Sequence, residues 1–341
     1  MEHHRLGDTG VSVSKLCLGA MMFGSWGNPD HDDSIRIIHA ALDAGINFID
    51  TADVYGAGES EEIVGKALKG RRDDVVLATK FHGSMGDDPN HQGASRRWII
   101  REVESSLRRL QTDWIDLYQL HRPRADTDIE ETLGALTDLV RQGKVRYIGH
   151  STFPASRIVE AQWVARERGL ERFVTEQPPY SVLVRAVEAD VLSTCQRYGM
   201  GVLSYSPLCG GWLSGRYRKG RDAEGPFSPA RRQLANRFDL SLPDNQRKLD
   251  AAEELAQLAE RSGITLVQLA IAFVLNHPAI TSAIIGPRTM EQLASQLAAS
   301  DTALDQVTLD RIDEIVAPAT TLNPSDNSFN NPSLEPGAMR R

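Results

Sequence analysis

The sequence predicts an α/β fold, a (β/α)8 or TIM barrel with an N-terminal β-hairpin and an extended C-terminal loop. Three observations support this prediction. Short apolar segments alternate with amphipathic helical patterns along the whole chain, and eight of these segments read as strands. The segments consist mainly of β-branched or aliphatic residues and do not alternate cleanly between apolar and polar positions. This is expected of parallel strands that are buried on both faces. A doubly wound open sheet has the same alternation, but no GxGxxG motif follows the first strand.

The predicted elements follow one another in regular order. The strands are Leu16–Ala20, Asn47–Asp50, Val75–Lys80, Ile115–His121, Val145–Ser151, Phe173–Gln177, Gly201–Ser206 and Ser282–Gly286. The helical patterns between them cover 32–44, 60–69, 95–109, 155–168, 187–198, 247–262 and 266–276.

The clearest helical pattern lies between the fourth and fifth strands. Apolar residues recur there at spacings of four, three and four, at Ile129, Leu133, Leu136 and Val140. Thr127 and Glu130 have the spacing of a capping box, which predicts that the helix begins beside them.

The chain has 341 residues, whereas a barrel core needs about 250. Three irregular pieces account for the surplus: a hairpin over 1–15 with Gly10 at its turn, a loop over about 207–245, and a tail over 318–341. The tail is rich in Asn, Pro and Ser and reads as a loop. Because no linker or repeat separates the pieces, we predict one domain over 1–341.

Composition excludes several classes of function. The net charge of -8 argues against binding to nucleic acid or to acidic membranes. The three cysteines (Cys17, Cys195 and Cys209) form no CxxC pair, which fits a reducing compartment. The N-terminus lacks the apolar core of a signal peptide, and the stretch from Leu266 to Leu275 is too short to span a bilayer. We therefore expect a cytoplasmic protein.

Ionisable side chains close three successive predicted strands, at Asp50, Lys80 and His121, and Tyr55 lies in the loop after Asp50. In such barrels the active site lies at the C-terminal ends of the strands, so these groups would converge. A buried Lys80 needs a carboxylate, and Asp50 is the natural partner. The ammonium would lower the pKa of Tyr55, which could then protonate an oxygen that is becoming negative. His121 could bond the same oxygen.

Each residue taken alone also has a structural explanation. Asp50 could be a cap, Lys80 a solvated strand end, and Tyr55 a partly buried aromatic with a satisfied hydroxyl. His121 could be a hydrogen-bonded strand end. From the residues alone, the catalytic and structural interpretations stay about equally supported.

Longer motifs resemble the aldo-keto reductase family from about residue 5 to about residue 325. FIDTADVYGAGESEEIVGKAL carries the Asp-x4-Tyr signature of that family. LATK, DLYQLHRP and YSPLCGGWLSGRY resemble its further landmarks in the same order, and LGDTGVSVSKLCLGAMMFG resembles its hairpin and first strand.

The resemblance implies an NADPH-dependent oxidoreductase that reduces aldehyde or ketone carbonyls to alcohols by hydride transfer. Its catalytic tetrad maps onto Asp50, Tyr55, Lys80 and His121. Tyr55 would be the general acid, Lys80 would lower its pKa, Asp50 would hold Lys80, and His121 would orient a small-molecule carbonyl substrate.

The same resemblance implies a cofactor site for NADPH or NADP+. The nicotinamide would contact Ser151, Gln177 and Tyr205, and Thr152 stands where the family usually has Asn. The pyrophosphate would lie along Ser206, Leu208, Gly210 and Ser214, with Arg216 close by. The adenosine phosphate would contact Gly286, Arg288, Gln292 and Gln296, and Gln296 again stands where Asn is more usual. An Arg at a loop leading into a helix suits a dianionic phosphate.

Other candidate features are weaker. Trp26, in the loop after the first strand, is a candidate for lining the substrate pocket or for ordinary packing. His3 and His4 have no third ligand placed nearby, so no metal is expected.

Two further functions compete with the reductase. The first is a cofactor-bound regulatory or sensor subunit, since the resemblance extends to channel-associated β-subunits. The second is an isomerase or aldolase in which Lys80 forms a Schiff base. The oligomeric state and the physiological substrate stay open.

Overall fold

A computed structural model describes residues 1–124, 126–220, 234–328 and residue 337. Eight parallel strands form a closed barrel, in which each strand pairs with the next and the last pairs with the first. The N-terminal hairpin consists of β1 (His3–Arg5) and β2 (Ser12–Ser14). The barrel strands are β3 (Leu16–Gly19), β4 (Phe48–Asp50), β5 (Val76–Phe81), β6 (Ile115–Leu120), β7 (Val145–Ser151), β8 (Thr175–Gln177), β9 (Gly201–Tyr205) and β10 (Ile280–Ile285).

Helices connect the strands and cover the outside of the barrel. They are α1 (His31–Asp43), α2 (Glu59–Ala67), α3 (Arg96–Leu110), α4 (Ile129–Arg141), α5 (Ala155–Arg168), α6 (Val191–Arg197), α7 (Pro243–Arg261), α8 (Leu266–Asn276), α9 (Met290–Leu297) and α10 (Gln306–Ile315). The predicted (β/α)8 barrel is therefore confirmed.

Several predicted boundaries are wrong. Strand β8 begins two residues later than predicted and β10 two residues earlier. The helix predicted over 187–198 divides into a short 3-10 turn, Ala186–Glu188, and α6. Helix α10 was not predicted, because Thr308 and Ile312 are its only buried residues and so give a weak periodic signal.

One local prediction is also corrected. The cap of α4 is Asp128 rather than Thr127, and its carboxylate accepts a hydrogen bond from the Glu130 amide at 2.9 Å. Aspartate caps a helix as well as threonine does, and Asp128 is in the correct register. In the hairpin, Gly10 lies in the turn between β1 and β2 as predicted, and Gly7 of the same turn has a left-handed backbone, at φ 58°.

The hairpin closes the N-terminal end of the barrel. Leu6 and Val13 are fully buried and pack with inward-facing residues of the strands, including Leu117 and Leu203. Because this end is filled by apolar side chains, the opposite end, where the strands finish, is left for the polar groups.

The described parts of the chain after β9 and of the C-terminal tail contact each other. Lys248 of α7 is buried and donates to the Asp326 carboxylate at 2.7 Å, which holds the described part of the tail against that helix. The remaining parts of the predicted loop over 207–245 and tail over 318–341, namely 221–233, 329–336 and 338–341, lie outside the described residues.

No single helix in the described ranges is long and apolar enough to cross a membrane. Helices α7 and α8 meet that test of length and composition only as a pair bent by 95°. The apolar residues of α8 belong to the core around the barrel.

Candidate active site

The four residues of the expected tetrad lie at the C-terminal end of the barrel. Asp50 ends β4, Lys80 is the penultimate residue of β5, and His121 directly follows β6. Tyr55 opens a single turn, Tyr55–Gly58, between β4 and α2. The Tyr55 ring contacts that of His121 edge-on, with the ring centroids 5.7 Å apart.

Lys80 is completely buried, and all three of its ammonium protons have acceptors. Its Nζ lies 2.5 Å from Oδ1 of Asp50, 2.8 Å from the Thr51 carbonyl oxygen and 3.4 Å from the Tyr55 hydroxyl. Burial lowers the pKa of Lys80, but the charges and hydrogen bonds of Asp50 and Tyr55 together outweigh burial, so the pKa of Lys80 is raised overall. Lys80 is therefore an ammonium ion fixed beside the phenol.

Two buried amides hold the other carboxylate oxygen of Asp50. Gln177 donates to Oδ2 from 2.9 Å and Gln119 donates to it from 3.1 Å. Gln119 is fully buried, and Gln177 is almost so. These two neutral donors satisfy the second carboxylate oxygen without adding charge, so they hold the Asp50 side chain in place beside Lys80.

The pKa of Tyr55 differs from the expectation. Burial raises the pKa of the Tyr55 phenol, and the charge of Lys80 lowers it by less, so the net shift is upward. The phenol is consequently protonated at neutral pH, which is the state that a proton donor needs. Lys80 still stabilises the phenolate that forms when the proton leaves.

The two histidines at the mouth are neutral. Burial and the charges of Arg122 and Lys80 place the pKa of His121 well below its usual value. Burial and Arg124 lower the pKa of His82 to about 4. A neutral His121 can donate one hydrogen bond to a carbonyl oxygen without competing with Tyr55 as an acid.

Trp26 lies beside the tetrad, with its ring centroid 5.8 Å from that of Tyr55. The adjoining loop is anchored by Glu59, which accepts from the Ser25 amide at 2.7 Å and contacts the His31 ring nitrogen at 2.8 Å. The anchored loop thus presents a partly exposed indole at the mouth.

The residues expected to hold the nicotinamide end three neighbouring strands. Ser151 ends β7, Gln177 ends β8 and Tyr205 ends β9. The Ser151 hydroxyl donates to the Gln177 carbonyl at 2.8 Å, and the Thr152 hydroxyl lies 3.1 Å from that of Ser151. The Tyr205 hydroxyl is buried and has no hydrogen-bond partner among the described residues.

The turn after β9 has an unusual backbone. Ser206 and Gly210 both have left-handed conformations, at φ 58° and 64°. Ser214 donates to the Gly211 carbonyl at 2.6 Å. Exposed amides in such turns form concave sites for anions. Leu208 and Arg216 belong to the same partly exposed segment.

The last set of candidates lies after β10. Gly286 is exposed, and the Arg288 amide donates to the Gln292 side chain at 2.9 Å. Burial and the charge of Arg216 lower the pKa of Arg288. Gln296 is buried, and its Oε1 has no partner within the part of the chain that the structure describes.

Metal chemistry has no support at this site. Across the described ranges, no group of three or more His, Cys, Asp and Glu side chains could hold a metal ion.

Comparison with known proteins agrees with the fold. The model of the Aldo/keto reductase family matches residues 15–317, so the chain belongs to this family of oxidoreductases, which act on carbonyl compounds with nicotinamide cofactors.

Relatives of two kinds share nearly the whole chain. An uncharacterized oxidoreductase, YrpG, of Bacillus subtilis is 41% identical over 92% of this chain and 96% of its own. The aldo-keto reductase YhdN of the same organism is 39% identical over 86% and 87%. A probable voltage-gated potassium channel subunit beta of Oryza sativa is 36% identical over 93% and 97%.

The sequence analysis missed two side chains of the site, Gln119 and Arg122. Gln119 had a usable signal, because it lies two positions after the inward-facing Leu117 in β6 and so also points into the barrel. Arg122 follows the strand, and no periodic pattern predicts the direction of its side chain.

We predict that Gln119 supports the tetrad through Asp50. Gln119→Met keeps the side-chain length but removes the donor, and it should lower kcat for carbonyl reduction by about tenfold, because a hydrogen bond to a charged group is lost. In Gln119→Glu the new carboxyl donates only when protonated, so kcat should rise as pH falls. The measurement is kcat against pH for both variants. Profiles that parallel the parent would contradict the prediction.

Proposed function

We propose that this protein is an NADPH-dependent carbonyl reductase in which Tyr55 is the general acid. One observation carries the proposal. The Tyr55 hydroxyl lies 3.4 Å from an ammonium group whose charge is held by a carboxylate 2.5 Å away. A protonated phenol beside a permanent cation can release its proton to a developing alkoxide, because the cation stabilises the phenolate that remains.

Each residue of the tetrad then has a separate role. Ser151, Gln177 and Tyr205 would hold the nicotinamide, which would supply the hydride that the carbonyl carbon receives. Tyr55 gives its proton to the carbonyl oxygen, and Lys80 stabilises the resulting phenolate. Asp50 keeps Lys80 charged, and neutral His121 donates to the same oxygen and directs it toward Tyr55. Trp26 forms an apolar wall for the substrate.

The residues after β9 and β10 fit a phosphorylated dinucleotide. Arg216 and Arg288 bring two positive charges together, and a dianionic 2′-phosphate would offset their repulsion. Gln296 has a buried acceptor that could meet the adenine amino group. Ser206, Leu208, Gly210 and Ser214 would follow the pyrophosphate, while Gly286 and Gln292 complete the adenosine end.

Two other functions compete with the carbonyl reductase. A regulatory subunit is supported by the relatives named as probable potassium channel β-subunits. A Schiff-base enzyme is disfavoured, because every proton of the Lys80 ammonium has an acceptor and its raised pKa leaves no free lone pair.

Tyr55→Phe tests the acid. It should lower the rate of aldehyde reduction by roughly 10²–10⁴-fold, the usual contribution of a positioned acid, and leave the Kd for NADPH near that of the parent. The assay is steady-state NADPH oxidation with a panel of aldehydes and ketones. Tyr198→Phe, at the end of α6, is a matched control that should keep full activity.

Two results would count against the proposal. Parent-like turnover in Tyr55→Phe would remove Tyr55 as the acid. NADPH binding without turnover by the parent chain on any carbonyl of the panel would favour the regulatory subunit.

Arg288→Ala tests the choice of cofactor. Loss of a charge-assisted contact should weaken NADPH binding by about 1.5–3 kcal/mol and leave NADH binding nearly unchanged. Titration of both cofactors measures this difference. Arg141→Ala, in the last turn of α4, is the control for a general loss of positive charge. An unchanged ratio of the two affinities would place the 2′-phosphate elsewhere.

A further inference from the structure

Arg122 is built into the group of hydroxyls that we assign to the nicotinamide. Its Nη1 donates to the His121 carbonyl at 2.7 Å, to the Thr152 hydroxyl at 3.0 Å and to the Ser151 hydroxyl at 3.3 Å. The guanidinium therefore bridges the ends of β6 and β7. The two protons of Nη1 are shared among three acceptors at the ends of two strands, and these contacts hold the guanidinium in one place.

The backbone of Thr152 explains why this contact is needed. Thr152 has φ 63°, in the left-handed region that Asn tolerates and that strains a β-branched residue. Glu176 stabilises the strained turn by accepting a hydrogen bond from the Phe153 amide at 3.2 Å. Arg122 adds a second contact to this turn by donating a hydrogen bond to the Thr152 hydroxyl. A fixed guanidinium thus stands where an Asn side chain would supply a neutral amide.

Arg122 is also a cation at the mouth of the barrel that has no carboxylate partner among the described residues. Lys80 is paired with Asp50, and Arg124 is paired with Asp126. His121 and His82 are neutral. Among the described residues, no carboxylate lies within 4.0 Å of the Arg122 guanidinium, whose charge lowers the pKa values of His121 and Tyr55.

We propose that Arg122 makes the site prefer the reduced cofactor over the oxidised one. The dihydronicotinamide ring is neutral, whereas the nicotinamidium ring carries a positive charge that a fixed guanidinium repels. Between unit charges near a protein surface, this repulsion corresponds to roughly a tenfold difference in affinity. The inference rests on the proposed use of NADPH. Weaker binding of NADP+ than of NADPH would speed the exchange of NADP+ for NADPH after each turnover.

The test is the ratio of Kd for NADP+ to Kd for NADPH, measured by titration of the whole chain. Arg122→Gln keeps planar donors but removes the charge, and it should lower this ratio by roughly three- to tenfold, mainly through tighter binding of NADP+. Arg122→Lys keeps the charge and should retain most of the ratio. Arg124→Gln removes the neighbouring, paired cation and should leave the ratio unchanged.

Each other outcome overturns the inference. An unchanged ratio in Arg122→Gln, with both affinities weakened equally, would make Arg122 a structural support for the turn. An unchanged ratio with a higher KM for carboxylated aldehydes alone would assign Arg122 to the substrate. If the parent chain binds neither NADP+ nor NADPH, the proposed function fails, and this inference fails with it.

Discussion

The ion pair between Lys80 and Asp50 is the interaction on which the rest of the site depends. A fully buried ammonium is costly unless a carboxylate and further acceptors replace the water that it loses. Here Asp50 supplies the charge and the Thr51 carbonyl and Tyr55 hydroxyl supply the remaining acceptors. The cost of burying Asp50 is met in turn by Gln119 and Gln177. Tyr55 therefore meets a cation of fixed position.

The barrel makes this arrangement possible because its two ends differ. The hairpin fills the N-terminal end with apolar residues such as Leu6 and Val13, and the polar groups gather at the other end. Each strand from β4 to β9 contributes a polar side chain there, so the site is assembled from residues far apart in the chain. Gln177 takes part both in the tetrad and in the group of hydroxyls assigned to the nicotinamide. Its side-chain amide donates to Asp50, and its backbone carbonyl accepts from the Ser151 hydroxyl. The proposed cofactor contact at Ser151 and the proposed proton transfer at Tyr55 are thus connected through one residue, Gln177.

Much of the fold could be predicted from sequence, because buried parallel strands and amphipathic helices leave strong periodic signals. Strand β7 was predicted to the residue, whereas α10 left too few buried residues to be found. The strand ends also indicated Asp50 and Lys80 as partners. Two things could not be predicted. The net pKa of Tyr55 depends on how far burial outweighs the Lys80 charge, and the position of Arg122 depends on a side chain that crosses between strands.

The most direct test of this account is the pH dependence of kcat in Asp50→Asn. Asp50 raises the pKa of Lys80 against the effect of burial, so its removal should let burial lower that pKa toward neutrality. The account predicts that kcat of the variant falls as pH rises through the neutral range, because Lys80 loses its proton, while kcat of the parent stays level there. Parallel profiles for the two proteins would show that Tyr55 does not depend on the charge that Asp50 maintains.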